Sequence, residues 1–118
     1  MENFVDNDCN RPYVICHMVT SLDGKVTGPF LEEAACAEAT ELYYEINRGF
    51  KADGFACGSV INGAFQRADV IDELSLVVAP FIAGDTGKPL FTEGNLQKFS
   101  LFCTERREGN AMWLRYRR

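Results

Sequence analysis

The sequence predicts an α/β domain built on a mixed sheet, and three observations carry that expectation. Apolar, β-branched runs alternate with helically spaced segments along most of the chain. The last stretch reads as two strands joined by a short polar turn. A length of 118 residues with 47% apolar content suits one domain with a modest core, taken here as 11–118 behind a polar leader at 1–10.

Pro12 closes the leader. Residues 13–20 read Y-V-I-C-H-M-V-T, the pattern of a strand buried on both faces of a parallel sheet. Asp23-Gly24 marks a turn, and Lys25, Val26 and Thr27 resume extended structure until Gly28-Pro29. Ala35, Ala39, Leu42 and Ile46 then share one helical face, with Glu38, Glu41, Glu45 and Arg48 off that stripe and Gly49 as the stop. Residues 52–57 read as a short buried strand closed by Gly58. Ser59 is placed to cap a short helix whose apolar positions are Val60, Ile61, Ala64, Phe65 and Ala68. Residues 74–78 form the strongest strand signal of the second half, ended by Pro80. A glycine-containing loop at 83–89 follows, and Leu90 and Phe91 return to a core. Residues 99–104 and 112–117 make an antiparallel hairpin through Glu108, Gly109 and Asn110.

The formal charge of −5 disfavours a surface that coats phosphate backbones, so no nucleic-acid partner is expected. No run of about 18 apolar residues suggests a membrane span. The acidic start lacks the basic region of an export signal, which leads to the expectation of a cytoplasmic protein. Cys9, Cys16, Cys36, Cys57 and Cys103 are odd in number and form no C-x-x-C pair, so they read as reduced thiols. Cys16 and His17 point to opposite faces of a strand, a poor metal chelate and a poor catalytic dyad, and no metal site is expected.

Two segments could carry chemistry. The loop Thr20-Ser21-Leu22-Asp23-Gly24-Lys25 follows a strand at the end where open α/β sheets bind ligands. Lys25 is suited to hold an anionic or carbonyl-bearing substrate, and Asp23 to orient a polar group or relay a proton. An ordinary turn with a solvated lysine fits the spacing as well. At Gly58-Ser59-Val60 a glycine between strand and helix lets a phosphate approach free amides, although a plain connection reads the same way. Gly84-Asp85-Thr86-Gly87-Lys88 fails as a P-loop, because Ile82 and Pro89 occupy positions the motif needs otherwise. Arg106, Arg107, Arg115, Arg117 and Arg118 would give the hairpin a basic, protected edge.

Two stretches, taken in order, resemble the reductase domain of bacterial riboflavin biosynthesis, within the dihydrofolate-reductase-like superfamily. The first is Arg11-Pro12-Tyr13-Val14 with Ser21-Leu22-Asp23-Gly24-Lys25. The second runs from Ser59-Val60-Ile61-Asn62 through Ile71-Asp72-Glu73-Leu74-Ser75-Leu76-Val77-Val78-Ala79-Pro80 to Gly84 and Lys88-Pro89-Leu90-Phe91. The resemblance implies a dihydrofolate-reductase-like mixed sheet flanked by helices, a homodimer, and an NADPH-dependent enzyme acting on a small molecule. Members reduce the ribosylamino group of a pyrimidine phosphate; a pterin-like substrate is the other possibility within the superfamily. By the same resemblance Asp23 and Lys25 are the catalytic pair, Thr20 and Ser21 bind substrate, and Gly58, Ser59 and Val60 meet the cofactor phosphate.

The sequence departs from the family pattern near 57–59. One glycine, Gly58, stands where relatives usually have two, and a long central segment is missing there. Three accounts fit: an internally deleted chain with weak or no catalysis, two joined parts of a longer protein, or a sheet completed by exchange between subunits. The alternative function is a non-catalytic remnant acting as an oligomeric interaction module.

Overall fold

The computed structural model describes residues 11–118; the expected leader at 1–10, with Cys9, lies outside them. The elements are β1 (Ile15–Thr20), α1 (Ala37–Phe50), α2 (Ser59–Arg67), β2 (Glu73–Val78), β3 (Ser100–Arg106) and β4 (Met112–Arg117). They form a four-stranded sheet in the order β1-β2-β4-β3. β1 is parallel to β2, while β4 is antiparallel to both β2 and β3. This is the expected mixed α/β sheet with a C-terminal hairpin.

β2 is the interior strand its aliphatic run predicts. Val77 and Ala79 join Phe30, Cys36, Ala39, Leu42, Ile46 and Ala111 in a core beneath α1. Leu74 joins Cys16 and Ile71 on the opposite face, against Leu90, Phe91 and Phe99. Glu73, also buried, is neutralised by Arg115 at 2.6 Å and accepts the Tyr13 hydroxyl at 3.0 Å.

Several local expectations change. The 13–20 run becomes a strand only from Ile15, and it is half-buried because it sits at a sheet edge. The α1 stripe holds at Ala39, Leu42 and Ile46, but Ala35 lies exposed in a 3-10 turn (Ala34–Cys36) and Cys36 takes the buried place. Gly49 does not stop the helix. Phe50 packs edge-on against His17 with ring centroids 5.4 Å apart, and Lys51 ends the helix with a left-handed φ of 51°. Residues 52–57 form no strand and are exposed throughout, since strand character needs a ladder partner and none pairs with them.

The largest change is at α2. Its apolar residues Val60, Ile61 and Phe65 face outward, while Ser59, Asn62, Gly63 and Gln66 are buried. The polar side wins because it satisfies the irregular backbone at 90–97. Asn62 donates to the Leu90 carbonyl at 3.0 Å, and Gln66 accepts from the Asn95 N–H at 2.6 Å and donates to Gln97 at 2.8 Å. Gly63 permits the close approach, as a Cβ there would overlap the Thr92 carbonyl oxygen. Three of the five hairpin arginines are held in ion pairs: Arg107 with Glu105, Arg115 with Glu73 and Arg118 with Asp69. Among the described cysteines none is in a disulfide, and Cys16 and Cys36 are buried.

Candidate functional site

β1 and β2 run parallel and end together at Thr20 and Val78. The chain leaving β2 closes over this end: the Ala79 N–H bonds the Thr20 carbonyl at 2.7 Å, and the Leu22 N–H bonds that of Phe81 at 2.6 Å. Thr20 and Ser21 are thereby buried. The Ser21 hydroxyl accepts from the Lys25 N–H at 2.9 Å and donates to the Asp23 carboxylate. Asp23 reaches across to accept the Ala83 and Gly84 N–H groups, each at 2.9 Å. Lys25 donates to the Gly84 carbonyl at 2.8 Å.

These partners decide what the loop can do. The Ser21 hydroxyl, then the two backbone N–H groups, hold the Asp23 carboxyl well below the usual carboxylate range. Asp23 is therefore ionised at neutral pH and holds the 83–84 loop rather than a proton. Lys25 uses one of an ammonium's three donors on Gly84, leaving donors for an anion.

α2 leads into β2 through the short link 68–72. The Asn62 N–H bonds the Gly58 carbonyl at 2.9 Å and opens the helical ladder. The N–H groups of Ser59, Val60 and Ile61 precede it and have no intrahelical acceptor. Gly58 is the N-cap at φ 120°, a value that favours glycine, and no side chain caps the helix. The Ser59 hydroxyl bonds that of Thr92 at 2.5 Å, and Val60 points to solvent, so this terminus presents backbone rather than side chains.

The strip 88–92 joins the two groups. It bonds the first loop through the Leu90 N–H to Gly24 at 3.0 Å and the Val26 N–H to Lys88 at 2.8 Å. It bonds α2 through the Thr92 N–H to Ser59 at 3.0 Å. The loop of Thr20, Ser21, Asp23 and Lys25 and the helix start at Gly58, Ser59 and Val60 are thus tied to one strip of chain. Sequence reasoning missed Asn62, Gln66 and Thr92, which set α2 in place. Polar residues at 59, 62 and 66 share one helical face, and that was the available signal.

Two cavities open elsewhere. One of about 440 Å³ lies between α1 and the hairpin, lined by Glu38, Glu41, Glu45, Arg106 and Arg107. The other, about 270 Å³, is bounded by Met18, Val19, Val26, Tyr43 and Tyr44 beside the first loop. Neither is lined by a candidate residue. Among the described residues, no helix is long and apolar enough to cross a membrane.

Residues 55–112, just under half of the chain, match the family model of the RibD C-terminal domain. A structure from Shewanella sp. PV-4, of a protein named for riboflavin biosynthesis, superposes with a TM-score of 0.60 at 16% identity, covering 91% of this chain and 99% of that one. A pyrimidine reductase-like protein from Corynebacterium diphtheriae gives a TM-score of 0.50 at 15% identity, over 66% of this chain and 34% of that one. RibD from Acinetobacter baumannii gives 0.46 at 22% identity, over 52% of this chain and 19% of that one. The chain therefore spans about a third and about a fifth of these last two proteins. No curated protein matches it in sequence.

Proposed function

Since the chain carries a RibD C-terminal-like domain, of the reductase-like kind found in riboflavin biosynthesis, we propose that it is an NADPH-dependent reductase acting on a pyrimidine-ribosyl phosphate. The observation that supports this reading is the strip 88–92, which bonds both the loop bearing Lys25 and the start of α2, whose N-terminus no side chain caps.

The residues present fit the phosphate portion of NADPH. Three ladder-free amides, the positive end of the helix dipole and open space beside Gly58 suit an anion. When bound, the nicotinamide would supply a hydride to the carbon of the opened ribosylamino group. This chain's residues do the rest: Gly58, Ser59 and Val60 hold phosphate through their backbone, and Lys25 binds an anionic substrate group. Asp23 and Ser21 fix the loop that presents Lys25, and Thr20 sits buried beneath it as the substrate-side wall. In this reading the working form is a cytoplasmic homodimer, with no nucleic-acid partner.

Calorimetry with NADPH, followed by loss of the reduced-nicotinamide absorbance on adding the ribosylamino-pyrimidine phosphate, tests the proposal. Saturable binding with turnover is expected; a folded protein that binds no NADPH contradicts it. The outward apolar face of α2 favours a second reading, an oligomeric interaction module without catalysis. A clean monomer at micromolar concentration in sedimentation would count against that one.

A further inference from the structure

Two of the residues that seat α2 are neighbours, Asn62 and Gly63, and both are fixed by the irregular chain that α2 packs on. The Asn62 amide donates to the Leu90 carbonyl at 3.0 Å, and Asn62 is buried. Gly63 lies so close to the Thr92 carbonyl oxygen that a Cβ in its place would overlap it. Docking of α2 therefore calls for an amide at 62 and for no side chain at 63.

The same pair is chemically labile. The backbone nitrogen that follows an asparagine can attack its side-chain amide, and a glycine there puts no Cβ in the way and lets the backbone turn into the ring. Asn62 is the one asparagine of the chain that precedes a glycine; Asn47, Asn95 and Asn110 precede Arg48, Leu96 and Ala111. In the docked helix both reacting groups are held. The Gly63 N–H lies within the helical ladder that the Asn62 N–H opens on the Gly58 carbonyl. The Asn62 side chain is turned to Leu90 rather than back along its own backbone. Ring closure requires Asn62 to leave the helical ψ, so α2 must first lift from the 90–97 segment and unwind at this point.

We propose that Asn62-Gly63 is a deamidation site gated by the docking of α2. In the opened helix the Gly63 nitrogen attacks the Asn62 side-chain carbonyl carbon. The bond to the amide nitrogen breaks, and that nitrogen leaves as ammonia with the proton from the Gly63 N–H. Water then opens the succinimide at either carbonyl and gives aspartate or isoaspartate at position 62. An aspartate carboxylate only accepts hydrogen bonds, and redocking would set it against the Leu90 carbonyl in a buried place. Isoaspartate inserts a methylene into the main chain of the helix. Neither product can redock as the asparagine did, so an opening that reacts frees α2 irreversibly from the strip 88–92.

Peptide-mapping mass spectrometry on the full chain, incubated at neutral pH, tests this without any ligand. Deamidation at Asn62 is expected about a hundredfold more slowly in the folded chain than in the same chain unfolded in urea, a ratio set by local opening. Gln66→Ala removes the bonds to Asn95 and Gln97 and leaves the Asn-Gly pair untouched. It should raise the folded rate about tenfold while the β2 amides stay protected from hydrogen exchange. Asn62→Asp installs the product directly and should fold with a protected β2 but exchange rapidly across α2. A folded chain that deamidates as fast as the unfolded one, an unchanged rate in Gln66→Ala, or α2 protection in Asn62→Asp equal to the parent's would each overturn the proposal.

Discussion

The two helices are both amphipathic, yet they dock in opposite senses. α1 turns Ala39, Leu42 and Ile46 into the larger core and leaves its glutamates in water. α2 turns Ser59, Asn62, Gly63 and Gln66 inward and leaves Val60, Ile61 and Phe65 outside. Hydrophobic burial fixes the first helix; hydrogen bonds to an irregular backbone, with a glycine that allows close approach, fix the second. An apolar stripe therefore shows where a helix could be covered, while the polar stripe shows what holds it. At α2 the arrangement ties the helix start to the same 88–92 strip that bonds the loop carrying Lys25.

The comparison can be broken at either helix. Leu42→Ala should cost about 2–4 kcal/mol in denaturant unfolding, the usual price of a cavity in a filled core. Gly63→Ala forces a Cβ against the Thr92 carbonyl and should cost about 1–3 kcal/mol. Its signature is local: exchange should quicken across α2 while β2 and β4 stay protected. A global loss of protection would mean that α2 is integral to the sheet core. Acid should bear on the α1 side next. Burial holds the His17 pKa below its ordinary 6.5 against the pull of its Tyr43 and Ser75 backbone partners. The unfolded chain then takes up the proton first, so stability is complete above about pH 6.5 and falls as pH drops below it. Unfolding midpoints across that range should show the decline, and His17→Gln should flatten it. Phe65→Ser on the outer face of α2 should move stability by no more than about 0.5 kcal/mol. A larger loss would reveal a partner on that face.

The contrast also marks what the sequence discloses. β2, the hairpin and the inner stripe of α1 are legible because the pattern of apolar residues is itself the cause of their burial. The 20–25 loop is legible as a site because it follows a strand. Asp23's role is not, since its partners Ala83 and Gly84 lie about 60 residues away and are backbone groups without a side-chain signature. The orientation of α2 escapes a reading that counts only apolar positions. The unpaired state of 52–57 escapes it too, because whether a strand pattern is used depends on a neighbour.

The central claim is that the α2 N-terminus is a phosphate site for NADPH, and backbone amide shifts during an NADPH titration test it most directly. The account predicts saturating shifts at Ser59, Val60 and Ile61 together with the loop bearing Lys25, and their loss in Gly58→Ala, whose φ of 120° a side chain tolerates poorly. A folded spectrum in which those amides stay still at millimolar NADPH, or in which only distant residues move, would contradict it.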